Sequence, residues 1–394
     1  MKKIGIVSLY YHNWNYGGQL QAYALCEAIR EMGYQAEQVG TNLGGGDTAF
    51  RAKVWDIAGR RKFTRDLWEA CYQIYRRKQG DRRDLRNFKK FEKEISHGGY
   101  IGGEKDFTKI NRAYDGFITG SDQVWNPGLI VGRAGGLYGL QFVDASKRRL
   151  SYAASIGAEK AAAGKEPIFR EILSGLDAIS VRERSAQKYL QPLTSKPIAV
   201  VLDPTLLVST RKWNGLAVGS ENAPHLFAYF LRETNNRHDE QLHQIADQLG
   251  LPLRCIADEL ERYPRSHAAD KQILNAGPRE FLGEIRDAEM VFTNSFHGLV
   301  FSVLFHKPFW AFKRHKDGGK DSMNARVTDF LAEFGLLDRL LEDGEVPSLE
   351  KLRTPIDYKA VDHILEEKRA FSMSWLRTAL EGDIQAKEEQ GANQ

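Results

Sequence analysis

Short apolar runs alternate with helically spaced apolar residues along most of this chain. Ile4–Leu9 has the length of a strand. After Gly17-Gly18, the apolar residues Leu20, Ala24, Leu25, Ala28 and Ile29 follow a helical period, Gly33 stops them, and Ala36–Val39 is the next run. A strand, loop, helix and strand in that order predict a parallel sheet. Gly116–Thr119, Leu150–Ala154, Ala178–Val181 and Ile198–Leu202 extend it, and Pro204 closes the last. A second series follows, with strands at His225–Phe230, Leu253–Ile256, Met290–Thr293 and Pro308–Phe312. Its helices are expected around Asp239–Leu249, Pro278–Asp287 and Phe296–Phe305, with Pro278 well suited to a first helical position. A long helical pattern from Tyr358 to Glu389 can pack back across both series. The expected fold is α/β, with two Rossmann-like domains facing a cleft. Residues 1–208 form the first domain, the acceptor side. Residues 209–394 form the second, the donor side, with the terminal helix.

The length of 394 residues suits two cores rather than one. Lys and Arg number 56 against 52 Asp and Glu, a net +4, which fits an anionic small substrate and gives no reason to expect nucleic acid. Cys26, Cys71 and Cys255 stand far apart, with no CxxC pair and no metal-ligand spacing, as in a reducing compartment. Ile4–Tyr11 is too short and too interrupted by Gly5 and Ser8 for a signal peptide, and no run approaches the ~20 apolar residues of a membrane span. A cytoplasmic protein is expected. Residues 51–93 carry fifteen Lys or Arg against six Asp or Glu, interleaved with Trp55, Phe63, Trp68 and Tyr72. Amphipathic helices on the first domain would give this pattern. Its sharper reading is a basic face that meets the inner membrane surface or a lipid-linked acceptor.

Open α/β sheets bind ligands beyond the carboxyl ends of their strands, so chemistry is expected in four loops. Asn15, Gly17 and Gly18 follow the first strand. Paired glycines admit a ligand close to the backbone, and the helix start offers N–H groups to an anion or a sugar hydroxyl, although simple turn chemistry would use the same residues. Ser121, Asp122, Gln123, Trp125 and Asn126 follow the strand Gly116–Thr119. Carboxylate and amide groups beside an aromatic ring suit a sugar, with Asp122 as base for a hydroxyl, while a helix or turn cap would also use Ser121 and Asp122. Arg182 and Arg184 close another strand and can grip a phosphate or carboxylate, or pair with Glu183 in solvent. Ser295 and His297 join an apolar strand to an apolar helix, a position suited to a working histidine.

In chain order, Asn15-Tyr16-Gly17-Gly18 with Gln21-Ala22, Gly120 to Asn126, Ser180-Val181-Arg182-Glu183, Asp203-Pro204 and Ser295-Phe296-His297-Gly298 resemble the polysaccharide pyruvyl transferase family. The resemblance runs over residues 4 to 312. It implies a GT-B-like pair of lobes, phosphoenolpyruvate as donor, and a sugar of a surface glycan or lipid-linked oligosaccharide as acceptor. The product it implies is a pyruvate ketal, made without metal or redox cofactor. By the same resemblance Arg182 corresponds to an arginine that holds the donor phosphate, and His297 to the histidine beside the donor. One departure stands out. Well-studied members of the family carry an arginine two residues before that histidine, where this chain has Ser295; Arg184, Lys307 and Arg314 are the candidates to compensate. Two other readings are carried forward. One is a GT-B glycosyltransferase with a nucleotide-sugar donor, using Glu259, Glu261 or Glu280 on the ribose; the other is a non-catalytic glycan-binding module.

Overall fold

The computed structural model describes residues 2–11, 13–41, 84–130, 132–157, 163–220, 223–231, 237–256, 271–313, 324–342 and 344–382. Among them lie two sheets in which every strand pairing is parallel. The first holds β1 (Lys3–Val7), β2 (Gln35–Thr41), β3 (His97–Ile101), β4 (Gly116–Asp122), β5 (Arg148–Ala154), β6 (Ile179–Val181) and β7 (Ile198–Val200), in the order β3-β2-β1-β4-β5-β6-β7. The second holds β8 (Leu226–Tyr229), β9 (Leu253–Ile256), β10 (Lys271–Ile273), β11 (Met290–Thr293), β12 (Phe309–Phe312) and β13 (Leu340–Leu341), in the order β10-β9-β8-β11-β12-β13. The two Rossmann-like lobes of a GT-B-like molecule are therefore present. In each sheet the strand order reverses once, between β1 and β4 and between β8 and β11, and such switch points are where open α/β sheets bind ligands.

Seven helices position the site: α1 (Tyr16–Glu31), α2 (Arg86–Glu92), α3 (Arg184–Leu190), α4 (Pro278–Asp287), α5 (Phe296–Leu304), α6 (Ala325–Glu333) and α7 (Tyr358–Glu381). Alternate residues of each strand face opposite sides, so each sheet is packed on both faces. Val7, Phe117, Ile179 and Val181 face the outer core of the first lobe, and Ala228, Phe230, Phe292 and Phe312 that of the second. Ile6, Ile118, Tyr152, Phe227, Tyr229 and Val291 face one apolar core shared by both lobes. Tyr16 pins that shared core. Its ring stacks on Phe281 of α4 at 4.8 Å, and its hydroxyl donates to the Ala276 carbonyl at 3.0 Å.

The terminal helix packs back on the first lobe. Ser372 accepts the Leu202 amide at 3.0 Å, Arg148 donates to the Ala379 carbonyl at 2.9 Å, and Arg369 donates to the Leu206 carbonyl at 2.7 Å. α7 ends at Glu381, with Gly382 in the left-handed conformation that terminates helices; the rest of the sequence pattern, to Glu389, lies outside the described residues. Within the basic segment Arg86–Glu92 form α2, which buries Phe88 and Phe91 beside Trp14, Tyr16 and Tyr23. Residues 51–83 lie outside the described residues, as do Cys71, Glu259, Glu261, Arg314 and the tail beyond 382. Among the described residues no helix is long and apolar enough to cross a membrane.

Candidate functional site

The loops at the two switch points meet. In the first lobe Asn15 caps α1, its side-chain oxygen accepting the Gly18 amide at 3.0 Å. That turn presents the bare backbone of Gly17 to the second lobe, where a Cβ would lie 1.9 Å from Nδ1 of His297. In the second lobe Thr293 donates to the Tyr229 carbonyl at 2.6 Å, tying β11 to β8. Asn294 grips the Leu231 backbone twice across the switch point, at 2.7 and 3.2 Å. Ser295 then caps α5 by accepting the Gly298 amide at 3.4 Å, which delivers Phe296 and His297 to the interface.

Behind this contact lies a buried charged cluster. β4 can approach β5 closely because Gly120 has φ +112° and no side chain; a Cβ there would sit 2.2 Å from the Tyr152 carbonyl oxygen. Ser121 is held by Gln21, which accepts its amide at 3.1 Å, and its hydroxyl donates to Asp203 Oδ2 at 3.0 Å. Asp203 also accepts the Thr205 amide and hydroxyl on Oδ1, at 3.0 and 2.7 Å. Arg182 donates to the same Oδ2 at 2.8 Å, and Nε2 of His297 stands 3.7 Å from it. Burial alone would push the Asp203 carboxyl upward, but His297, Arg182 and the Thr205 hydroxyl together hold it well below the usual carboxylate range. The Arg182 guanidinium further donates to Glu183 at 3.0 Å, lies 3.4 Å from Asp122, and stacks 4.3 Å from the centre of the Phe296 ring.

Several expectations change here. Arg182 was expected as an open clamp for a phosphate. Its side chain is instead 2% exposed, and its nitrogens face three first-lobe carboxylates, because the strand ends that carry Asp122, Glu183 and Asp203 converge on it. Trp125 was expected as a sugar platform. It is fully buried, with its indole N–H donating to the Tyr138 carbonyl at 3.3 Å, because the polar loop folds inward over the outer core. Ser295, expected at the ligand, is a buried helix cap, and Gly18 and Asn15 complete a cap rather than leave an open amide. Asp122 keeps 13% of its side chain exposed, in a left-handed conformation with φ 64° that aspartate tolerates. Asn126 accepts the Gly128 amide at 2.9 Å and lies beside Gln123, while Arg184 opens α3 at the rim.

Three residues outside the expected set join the site. Glu183 accepts from Arg182 and from the Ser155 hydroxyl, the latter at 2.6 Å. Asp203, noted only as part of a motif, stands at the hub. Arg326 reaches in from α6 of the second lobe, and no local pattern marked it. Arg182, Asp203, Phe296 and Arg326 share a cavity of about 20 Å³. That is room for about one water.

The sequence profile of the family described as polysaccharide pyruvyl transferase matches residues 15–316. No curated protein matches the chain in sequence. Among solved structures, a protein described as UDP-N-acetylglucosamine 2-epimerase from Listeria monocytogenes superposes with a TM-score of 0.53 at 10% identity, covering 97% of each chain. The UDP-N-acetylglucosamine 2-epimerase from Rickettsia bellii superposes with a TM-score of 0.52 at 12% identity, covering 97% of this chain and 96% of its own. At such identities the likeness is one of fold.

Proposed function

The chain belongs to the polysaccharide pyruvyl transferase family, and we propose that it moves the pyruvyl unit of phosphoenolpyruvate onto a sugar of a surface or exported glycan, forming a pyruvate ketal. The observation that carries this reading is the meeting of the two switch points: His297 of one lobe stands against Gly17 and 3.7 Å from Asp203 of the other. An acid–base histidine oriented by a buried carboxylate, with hydroxyl-binding groups nearby, suits proton delivery to an enol carbon.

The His297 imidazolium gives its proton to C3 of the donor, and positive charge develops at C2. Asp203 stands 3.7 Å from the ring and orients it, as its own position is fixed by Ser121, Thr205 and Arg182. Asp122 takes the proton of the sugar hydroxyl whose oxygen bonds to C2. The C2–O bond to phosphorus then breaks, and a second hydroxyl of the same sugar closes the ketal. That hydroxyl's proton leaves with the phosphate as hydrogen phosphate, and the proton on Asp122 returns through solvent to His297. Closure of the lobes keeps water from the cationic carbon. We place the reaction in the cytoplasm on a glycan or lipid-linked acceptor, and propose the basic segment 51–93 as its contact with an anionic membrane surface.

Phosphate release from phosphoenolpyruvate, followed across a panel of glycan acceptors, tests the reading. Acceptor-dependent release supports it; no release, together with transfer from a nucleotide sugar, replaces it with the glycosyltransferase reading.

A further inference from the structure

We infer that the groove between the edge strand β7 and the terminal helix α7 is a subsite for the sugar next to the accepting one, with Phe371 as its stacking face. This inference rests on the glycan-acceptor reading above and names what the site recognises beyond the reacting sugar.

The sequence of α7 sets Phe371 apart. The buried stripe of that helix is Val361, Leu365, Ser372, Leu376, Ala379 and Leu380, at helical spacing. Phe371 falls off the stripe and is 53% exposed. A single exposed apolar side chain is ordinary on any protein. Its setting makes this one informative. Ser372, the next residue, fixes α7 to the first sheet by accepting the Leu202 amide at 3.0 Å, so the ring stands over the end of β7. There it lines a groove of about 320 Å³, with Val200, Val201 and Leu202 along one wall. The small cavity at the Asp203 hub holds about 20 Å³; the groove reaches the roughly 300–1,000 Å³ of small-molecule sites.

The groove is continuous with the candidate site. Arg184, Val201, Leu202 and Glu333 line both it and the cavity that holds Arg182, Asp203 and Phe296. It also lies at the carboxyl ends of β6 and β7, the side on which open α/β sheets take their ligands. A glycan that reacts at the hub continues into this groove.

Its chemistry selects a sugar over an anion or a lipid chain. Two cations, Arg184 and Lys368, stand against two carboxylates, Glu333 and Glu367, and Lys368 already donates to Glu333. The charges balance, so the groove has no excess to attract a phosphate. An acyl chain would bring nothing to hydrogen-bond to those four groups. A pyranose has C–H groups on its face for the Phe371 ring and hydroxyls around its edge for the donors and acceptors at the rim.

The test is steady-state phosphate release by the full chain with methyl glycosides of glucose, galactose, mannose and N-acetylglucosamine, each alone and as the non-reducing end of a disaccharide. For the sugar accepted, the parent should show a lower KM with the disaccharide than with the monosaccharide. Phe371→Ala should raise the disaccharide KM by about tenfold, the worth of an aromatic stack, and leave kcat, the monosaccharide KM and the phosphoenolpyruvate KM unchanged. Alanine suits an exposed helix position, so the variant should fold, and Phe371→Trp should keep the preference for the disaccharide. A parent-like disaccharide KM in Phe371→Ala would overturn the inference, as would an equal rise for monosaccharide and disaccharide. A rise seen with a lipid-linked disaccharide and not with the free one would overturn it too and give the groove to the lipid. A parent chain that releases no phosphate with any of these acceptors would instead overturn the donor reading, and this inference with it.

Discussion

His297 of the second lobe lies against the backbone of Gly17 of the first, so closely that a Cβ at position 17 would fall 1.9 Å from the imidazole Nδ1. The contact joins the two switch points directly. Gly17 is the second residue of α1, and alanine would by itself favour the helix by up to about 1 kcal/mol. Gly17→Ala should therefore push the imidazole off the first lobe, and its melting temperature sets the helix gain against the lost packing at the shared core. Turnover should fall by about 10² or more, the cost of misplacing a catalytic group by an ångström. Parent-like turnover in Gly17→Ala would show that closure on His297 is not needed.

Removal of the imidazole separates two roles. If His297 delivers the proton, His297→Asn should reduce turnover by about 10²–10⁴ and leave phosphoenolpyruvate affinity nearly intact. Equal losses of affinity and turnover would make it a partner for the phosphate instead.

Asp203 links the site to acid stability. Its folded carboxyl is depressed, since His297, Arg182 and Thr205 outweigh the burial that would raise it. A depressed folded pKa stabilises at pH above the unfolded value, about 3.9, and that contribution is lost as pH falls below it. Glu284 has the same sign, its burial outweighed by His225 and Arg254. Unfolding free energy measured from about pH 7 to pH 3 should fall along the acid limb for the parent. Asp203→Asn should be less stable at neutral pH and fall more gently. The same acid slope in both proteins would remove Asp203 from the account.

Arg182 is expected to matter for folding as well as for the reaction. Arg182→Leu leaves Asp122, Glu183 and Asp203 without their shared cation and should cost about 3–5 kcal/mol in urea unfolding. A cost under about 1 kcal/mol would mean that water reaches those carboxylates.

Much of this architecture was legible in the sequence because its signals are local. The apolar runs of β8, β9, β11 and β12 and the break at Gly17-Gly18 place the strand ends, and strand ends place Asp122, Arg182 and His297. The strands that escaped notice lie at sheet edges: β3, with Gly98-Gly99, β10, of three residues, and β13, of two, carry too little apolar alternation to register. Trp125 misled because polar neighbours suggest a surface, whereas that loop turns its indole into the core. Arg326 left no local trace. It is an arginine in an ordinary amphipathic helix until α6 packs beside α5 and brings it to Gln123, 203 positions earlier (326 − 123), a fact of tertiary structure alone.

The most direct test of the central claim is to run the reaction in D₂O with phosphoenolpyruvate and an accepting glycan, counting released phosphate and ketal methyl groups by NMR. Proton delivery to C3 with capture at C2 predicts one ketal per phosphate, each methyl carrying a single solvent deuterium, and neither product with His297→Asn. Phosphate released without ketal, or a glycan extended from a nucleotide sugar while phosphoenolpyruvate stays intact, would contradict it.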